Sequence, residues 1–280
     1  MNIGIVGLGL IGGSLGLDLR ALGHRVLGVS RQVQTCERAI ARGAVDEASV
    51  DLRLMQQAEV VFLCTPLGVM EATVKALVPY LAATTVLTDV GSVKGWVMRT
   101  IAPHWGNFVG GHPMAGTAES GIEAAQHHLF VDRPYVLTPI AETPAAAVQQ
   151  VEALIRPLQV RLVHCQPEEH DRAVAWISHL PVMISASLLA ACQNESDSRV
   201  LNLAKALASS GFRDTSRVGG GNPELGMMMA QYNTEALVRS LHTYRDTLDQ
   251  FISQIEHQDW GALHTTLTQT QQLRPAFMRD

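Results

Sequence analysis

The sequence predicts an α/β fold in which a mostly parallel sheet, covered by helices on both faces, occupies the first part of the chain and an all-α domain follows. Short β-branched runs alternate with amphipathic stretches as far as about residue 163, a pattern typical of β-α-β units joined by right-handed crossovers. From residue 168 onward no segment has a convincing strand pattern. A length of 280 residues suits about two domains. We therefore expect one domain over residues 1–165 and a second over 166–280.

The predicted strands are short runs rich in β-branched and other apolar residues. Helices fill the first two gaps, at about 11–22 and 34–42. The strands are expected at residues 2–7, 25–30, 59–64, 85–89, 108–111, 134–137 and 160–163.

Three helices are predicted in the second domain, at residues 173–192, 200–209 and 223–256. The last has no interior proline, and Pro223 suits its first position with Asn222 as the N-cap. A helix of about 30 residues spans roughly 45 Å, which is longer than a small domain needs. We expect it to pack against a second subunit, so that the helical domain forms a homodimer; a solvated helix in a monomer is the alternative.

Composition and charge exclude several classes of protein. The chain is 47% hydrophobic and 17% charged, which is too apolar for a disordered protein. Its net charge of −5 disfavours nucleic-acid binding, which normally requires a basic surface. No uninterrupted run of about 18 apolar residues is present, so we expect no membrane association. The four cysteines fit a reducing cytoplasm and include no C-x-x-C pair; they are Cys36, Cys64, Cys165 and Cys192.

A glycine motif directly follows the first predicted strand and opens the first helix. The sequence Gly7-Leu8-Gly9-Leu10-Ile11-Gly12 has the G-x-G-x-x-G spacing of a Rossmann-type dinucleotide site. In such a site the first glycine permits the turn, the second lets the backbone approach the pyrophosphate, and the third lets helix and strand pack closely. The helix N-terminus offers free N–H groups to the phosphates. The alternative is a glycine-rich turn without a ligand. The predicted cofactor contacts are Gly7, Gly9, Leu10, Ile11 and Gly12.

The end of the second strand predicts which dinucleotide is bound. NAD-binding folds usually carry Asp or Glu there, about 20 residues after the glycines, whereas this chain has Ser30 and Arg31. A hydroxyl beside a guanidinium accepts a 2′-phosphate that a carboxylate would repel. We therefore predict NADP rather than NAD, with a solvated surface arginine as the alternative. Thr65, after the next buried strand, either contacts the ribose or caps the following helix.

Two polar segments of the first domain carry candidate catalytic groups. Ser92 follows the predicted strand at 85–89, at the edge where such sheets place their ligands. It either donates to a cofactor or substrate oxygen or caps the helix that starts near Val93. His112 lies in a glycine-rich turn that leaves room for a bulky ligand. A neutral imidazole takes a hydroxyl proton readily near pH 7, although most lone histidines are structural or exposed.

The helical domain contains candidates for substrate binding. Ser178 and His179 interrupt an apolar helical pattern, and a polar histidine in the core is the default interpretation of His179. Arg213 and Arg217 precede a run of three glycines, where they either bind a carboxylate or remain on the surface. The remaining histidines lack metal-ligand spacing, so we expect no metal.

Five motifs in this order resemble the prephenate/arogenate dehydrogenase family of tyrosine biosynthesis. The resemblance covers nearly the whole chain and is greatest to the short NADP-dependent arogenate dehydrogenases of cyanobacteria. The motifs are GLGLIG at 7–12, DVGSVK at 89–94, GGHPMAGT at 110–117, SHLP at 178–181 and GFRDTSR at 211–217.

The resemblance implies a reaction and a role for each candidate. The family oxidises a cyclohexadienol and expels its ring carboxylate as carbon dioxide, which leaves an aromatic phenol. By resemblance, His112 takes the proton of the ring hydroxyl while hydride leaves the same carbon, and Ser92 bonds both groups. Arg217 matches an arginine that binds a substrate carboxylate, Arg213 supports it, and Ser178 lines the pocket.

Two departures from the family pattern favour arogenate over prephenate. Many prephenate-using relatives have the sequence SHLPH, but Val182 follows Pro181 here, and they often carry an acid where this chain has Ala118. Losing a histidine that helps to bind an anionic substrate favours the zwitterionic one. We therefore predict oxidative decarboxylation of L-arogenate to L-tyrosine with hydride transfer to NADP, with prephenate dehydrogenase activity as the nearest alternative.

Two further hypotheses are distinct from these. Another reductase with a Rossmann and a helical domain, such as a β-hydroxyacid dehydrogenase, generally uses a lysine in the helical domain. Lys205 is the only lysine after Lys94, and it lies in no matching motif. A non-catalytic dinucleotide sensor would share the glycine motif but would not need His112, Ser92 and Arg217 together.

Overall fold

The computed structural model describes residues 1–117 and 119–278. Ala118, on which the arogenate prediction partly depends, lies outside the described residues. The chain divides into two compact units, Met1–Asn233 and Thr234–Asp280.

A parallel sheet forms the centre of the first unit. Its six strands are β1 Asn2–Val6, β2 Arg25–Val29, β3 Glu47–Ser49, β4 Val60–Leu63, β5 Val86–Asp89 and β6 Phe108–Val109. Every neighbouring pair is parallel, and the spatial order is β3-β2-β1-β4-β5-β6. This is the order of doubly wound dinucleotide-binding sheets, in which ligands bind beyond the carboxyl ends of the strands. The predicted Rossmann-type fold is confirmed.

Helices cover both faces of this sheet. Along β4, Val60 and Phe62 belong to one hydrophobic core, and Val61 and Leu63 belong to the other. A strand buried on both faces is continuously apolar, which explains the composition of β4. The short edge strand β3 is absent from the predicted elements. Four of these helices are α1 Leu10–Ala21, α2 Val33–Ala41, α3 Leu67–Leu77 and α4 Gly95–Ile101.

The predicted strand at 108–111 is in fact two strands in different sheets. After β6 the chain enters β7 Gly111–Pro113, which pairs antiparallel with β8 Pro134–Leu137. The helix α5 Ala145–Ile155 then leads to β9 Arg161–His164, which is parallel to β8. Gly110 makes the crossing possible, because a Cβ at that position would lie 2.5 Å from Oγ1 of Thr138.

The rest of the first unit is helical, as predicted. The expected helix at 173–192 is interrupted by a π-helical turn, Ala175–His179, which inserts an extra residue into the helical repeat. By length and composition alone, the helical stretch Pro167–Gln193 would suffice to cross a membrane, the one such stretch in the described part of the chain. The helices are α6 Pro167–Val174, α7 Leu180–Gln193, α8 Ser198–Leu207, α9 Ser210–Ser216 and α10 Pro223–Tyr232.

The prediction of one helix over 223–256 is wrong. Its beginning is as expected, since the Asn222 side chain accepts a hydrogen bond from the Glu224 N–H over 2.9 Å. The helix ends at Asn233, whose backbone leaves the helical region at φ −124° and ψ 36°. The Asn233 side-chain amide instead donates to the carbonyl of Asp171 over 2.8 Å. A tertiary hydrogen bond therefore stops a helix that the local sequence would continue.

The second unit, Thr234–Asp280, contains two helices. They are α11 Thr234–Glu256 and α12 Trp260–Phe277. The side chain of Asp259 caps α12 by accepting a hydrogen bond from the Ala262 N–H over 2.9 Å.

Candidate functional site

The glycine motif forms a turn with an open surface after β1. Gly7 has a φ of +107°, a conformation that L residues with a side chain rarely adopt. A Cβ on Gly12 would lie 2.0 Å from the Gly7 carbonyl oxygen, so the strand and α1 pack too closely for any side chain. A Cβ on Gly9 would meet nothing within 4 Å. Leu10 and Ile11 form the first turn of α1, which has no acidic residue and no side-chain cap within the described residues.

Three other predicted cofactor residues lie at the carboxyl ends of β2 and β4. Ser30 is half-buried, and its hydroxyl accepts a long hydrogen bond of 3.4 Å from the Gln32 N–H. Arg31 is exposed and forms no ion pair within the described part of the chain. The hydroxyl of Thr65 is buried without a partner, whereas α3 begins after Pro66, so Thr65 does not cap that helix.

His112 lies on β7 in a line of hydrogen-bonding side chains. Its Nδ1 lies 2.8 Å from Nε2 of His170, and Nδ1 of His170 lies 2.8 Å from Oδ1 of Asp171. A carboxylate only accepts, so His170 donates from Nδ1. When His170 carries no second ring proton, its Nε2 accepts from Nδ1 of His112, which leaves Nε2 of His112 as an acceptor. This is the tautomer that a general base requires.

Burial keeps the imidazole of His112 neutral. Desolvation is the main cause that lowers its pKa well below 6.5, and repulsion from His170, Lys94 and His179 in their protonated forms lowers it further. His112 is only 9% exposed. It is therefore ready to accept a proton at neutral pH.

Asp171 joins this line to α4. Its Oδ1 accepts a hydrogen bond from the Lys94 N–H over 2.6 Å, and its Oδ2 accepts one from the Gly95 N–H over 2.8 Å. These amides form the N-terminus of α4, which Asp171 caps from 77 residues away. Ser92 therefore does not cap α4, and its hydroxyl forms no hydrogen bond with any described residue, His112 included.

A buried ion pair lies at the base of the segment that carries Ser92. Lys94 and Asp89 are both fully buried, and Nζ of Lys94 pairs with Oδ2 of Asp89. The same amino group donates to the Gly111 carbonyl over 2.7 Å, and Oδ1 of Asp89 accepts from the Gly111 N–H over 3.0 Å. The Ser92 segment is thus held against the residue that precedes His112.

The predicted residues of the helical segment are divided between the interior and the surface. His179 is fully buried in the π-helical turn beside half-buried Ser178, and burial lowers the pKa of His179 to about 4. Its Nδ1 accepts from the Asn233 amide over 3.1 Å, so its Nε2 is a donor, and it has no partner among the described residues. Arg213 and Arg217 are exposed, and neither bonds to the His112 line in the described structure.

Several members of the site were missed in the sequence. Two sequence signals could have identified most of them: the adjacent pair His170-Asp171 near a helix start, and the aspartate and lysine at the two ends of the DVGSVK motif at 89–94. The missed residues are Asp89, Lys94, His170, Asp171 and Asn233. No cluster of His, Cys, Asp and Glu that would hold a metal occurs in the described ranges 1–117 and 119–278.

Comparison with known families matches both parts of the chain. Residues 15–164 match the family described as the prephenate dehydrogenase nucleotide-binding domain. Residues 166–269 match the family described as the prephenate dehydrogenase dimerization domain.

Individual proteins give the same result. Synechocystis arogenate dehydrogenase has a solved structure with a TM-score of 0.89 and 53% sequence identity, covering 99% of this chain and 100% of that one. The prephenate dehydrogenase of A. aeolicus, solved in complex with hydroxyphenyl propionate and NAD+, has a TM-score of 0.94 and 25% identity, covering 99% and 98%. The cyclohexadienyl dehydrogenase of Zymomonas mobilis is 31% identical over 287 residues, which cover 100% of this chain and 97% of the relative.

Proposed function

Because the chain belongs to the prephenate dehydrogenase family, we propose that it is the NADP-dependent arogenate dehydrogenase of a tyrosine-producing pathway. The reaction would convert L-arogenate and NADP+ into L-tyrosine, CO2 and NADPH. The observation that carries this proposal is the buried, neutral His112 with Nε2 left as a proton acceptor.

His112 acts as the general base. Its Nε2 accepts the proton of the ring hydroxyl, and its Nδ1 stays bonded to His170, which is itself bonded to Asp171. Asp171 stabilises the positive charge that forms on the two imidazoles during proton transfer. As the hydride leaves the carbon that carries the hydroxyl, the hydroxyl becomes a carbonyl. The ring carboxylate then leaves as CO2, the remaining electron pair completes the aromatic ring, and the proton returns from His112 to the ring oxygen. A base in this position typically contributes about 10²–10⁴-fold in rate.

The carboxyl edge of the sheet fits a dinucleotide. The space above Gly9 and the uncapped N-terminus of α1 suit a pyrophosphate, and the buried, unpartnered hydroxyl of Thr65 suits a ribose. Ser30 and the unpaired Arg31 support NADP over NAD. When bound, the oxidised nicotinamide accepts the hydride from the substrate.

Hydroxyl, imidazole and guanidinium groups are proposed to bind the substrate. Ser92 is half-buried and its hydroxyl has no hydrogen-bond partner among the described residues, and the unpartnered Nε2–H of His179 suits a substrate oxygen. We assign Ser178 to the pocket wall. Arg217, supported by Arg213, binds a substrate carboxylate, although these exposed arginines require a movement or a second chain to reach it.

Arogenate is favoured over prephenate by two observations. The half-buried residue after Pro181 is Val182, which cannot pair with an anionic side chain as histidine would. The Synechocystis relative, 53% identical over nearly the whole chain, is an arogenate dehydrogenase.

The helical half forms a homodimer in this proposal. Support comes from the family description of residues 166–269 as a dimerization domain and from exposed apolar side chains on α8, α11 and α12, including Leu203, Leu207 and Leu267. A second subunit, and not lipid, would cover them. We propose that the cofactor-binding domain comprises residues 1–165 and the substrate-binding and dimerisation domain residues 166–280. We also propose that the enzyme is cytoplasmic, where its four free cysteines would stay reduced.

One assay tests the proposal. Purified protein is supplied with arogenate or prephenate, each with NADP or NAD, and kcat/KM is measured for the four pairs. The highest value is expected for arogenate with NADP. A higher value for prephenate would make the chain a prephenate dehydrogenase, and no turnover with either substrate would favour a dinucleotide sensor.

A further inference from the structure

We propose that Lys94 is a positioning residue for His112: it fixes the strand that carries the imidazole and places an amino group, paired with Asp89, near it. This inference rests on the proposed function only in taking His112 as the base. Lys94 is fully buried, whereas lysine is almost never buried unless it is paired. No step of the proposed reaction uses its amino group, so its burial needs another explanation.

Lys94 contacts the backbone just before His112 and also Asp171, the last residue of the hydrogen-bonded line that begins at His112. Its side chain donates over 2.7 Å to the carbonyl of Gly111, the residue immediately before His112. Its backbone N–H donates over 2.6 Å to Oδ1 of Asp171, the same oxygen that lies 2.8 Å from Nδ1 of His170. Since His170 bonds to His112, the hydrogen bonds close a ring. Within this ring, His112 is held on one side through the backbone of Gly111 and on the other side through its imidazole.

Asp89 holds the amino group in place. One of its oxygens pairs with Nζ of Lys94 and accepts from the Gly91 N–H over 2.7 Å, and the other accepts from the Gly111 N–H. A buried pair satisfied in this way tolerates joint replacement, whereas removing one partner leaves an uncompensated charge and is strongly destabilising. A test of Lys94 must therefore neutralise both partners together.

The charge of Lys94 also affects the proton affinity of His112. The charged or titratable groups around His112 are His170 and Asp171 from α6, His179 from the π-helical turn, and Lys94 with Asp89 behind it. A charge on His179 requires a pH near 4, because its pKa is about 4. Burial lowers the pKa of Lys94, and the pairing with Asp89 opposes this by favouring the charged form. In its charged form Lys94 lowers the pKa of His112.

The experiment compares two double variants in the full-length protein. Asp89→Asn/Lys94→Met removes the buried pair. The control, Glu71→Gln/Lys75→Met, removes an exposed acid–lysine pair whose two residues are also close in sequence; its Nζ and Oε1 lie 2.6 Å apart. The His112 pKa is measured by imidazole NMR without substrate, and kcat and KM are measured against pH. Folding is checked by circular dichroism.

We expect kcat of the buried-pair variant to fall about 10–100-fold, which corresponds to the loss of one charge-assisted hydrogen bond that positions the base. The KM for the cofactor should stay within about twofold of the wild-type value. The pKa of His112 should rise but stay below 6.5, because burial, the main cause that lowers it, is unchanged, and the acid limb of the kcat/KM profile should move with it. The exposed-pair variant should match the wild type in each respect. A folded buried-pair variant with the wild-type kcat and the wild-type His112 pKa would overturn the proposal.

Lys94→Arg provides a second test should the double variant fail to fold. Arginine keeps the charge, but its planar fork cannot replace the ammonium group between Asp89 and Gly111. The expected result is a kcat about tenfold lower with the His112 pKa still low, and a wild-type kcat would refute the positioning role. The NMR measurement needs no turnover, so it remains informative even where the proposed reaction proves to be wrong.

Discussion

The Nδ1 atom of His112 lies 2.8 Å from the Nε2 atom of His170, although 58 residues separate them in the chain. The contact is buried, and it orients the imidazole so that only Nε2 faces outward from the hydrogen-bonded line. This single relationship defines the protonation state, the direction and the reactive atom of the candidate base.

Replacing His112 by Asn is expected to lower kcat by about 10²–10⁴-fold, because no group is left to take the hydroxyl proton. Dinucleotide affinity should change little, since the glycine motif lies on a different strand. Steady-state kinetics and a fluorescence titration with NADPH measure the two quantities. A variant that keeps its kcat would contradict the assignment of His112 as the base.

Replacing His170 by Phe keeps a ring in the same volume but removes the acceptor for His112. We expect kcat to fall about 10–100-fold, which corresponds to one lost hydrogen bond to a group that becomes charged. His164→Phe, at the exposed end of β9, is the matched control and should have the wild-type kcat. Equal rates in the two variants would mean that His170 has no part in holding the base.

Alanine at Gly9 and alanine at Gly12 should fail in different ways. At Gly9 the new Cβ meets nothing within 4 Å, so thermal stability should be unchanged, but NADPH affinity should fall on the order of tenfold or more. At Gly12 the Cβ would lie 2.0 Å from the Gly7 carbonyl, which should lower Tm by roughly 5 °C or more. Calorimetry and cofactor titration distinguish the two, and a Gly9→Ala variant with full affinity would sink the proposed cofactor site.

Arg31→Ala is expected to raise the KM for NADP about 10–100-fold and to leave the KM for NAD nearly unchanged, because only NADP carries the 2′-phosphate. Arg199→Ala, whose side chain is 92% exposed on α8, is the control and should affect neither KM. An equal increase for both cofactors would refute the assigned role of Arg31.

Acid should destabilise the fold through its buried histidines. The pKa of His179 is lowered to about 4 and that of His112 is well below 6.5, both chiefly because burial disfavours the charged form. The unfolded chain therefore binds more protons than the folded one as the pH falls from 6.5 towards 4. Each such histidine should remove about 1.4 kcal/mol of unfolding free energy per pH unit in that window.

Urea unfolding at pH 7.5, 6, 5 and 4.5 checks this slope. His179→Gln keeps an acceptor for Asn233 but removes one titrating group, so its slope should be smaller than that of the wild type. Identical slopes would show that His179 does not contribute.

The sequence was sufficient for the parts of the fold that local patterns determine. The apolar run that became β4 and the glycine motif after β1 depend on neighbouring residues, and both were predicted within a residue or two. The parallel arrangement of the sheet was predicted from the alternation of strands and helices. His112 was selected as a candidate because its glycine-rich surroundings are visible in the sequence, and its role as a base stays a prediction.

The remaining features depend on contacts between distant residues. Asn233 ends α10 by bonding to Asp171, 62 residues earlier, and no local signal marks that position as a break. His170 was not singled out because it lacks metal-ligand spacing, whereas it bonds to His112 on a strand 58 residues away. The division of residues 108–113 between two sheets depends on the approach of Thr138 to Gly110.

The carboxylate of Asp171 has a consequence for how such a protein can evolve. Its two oxygens hold His170 and also the first two amides at the start of α4. If the proposed base is correct, selection for turnover and selection for a cohesive fold act on the same side chain. Val182, half-buried in α7 without a polar side chain, is free of this double constraint.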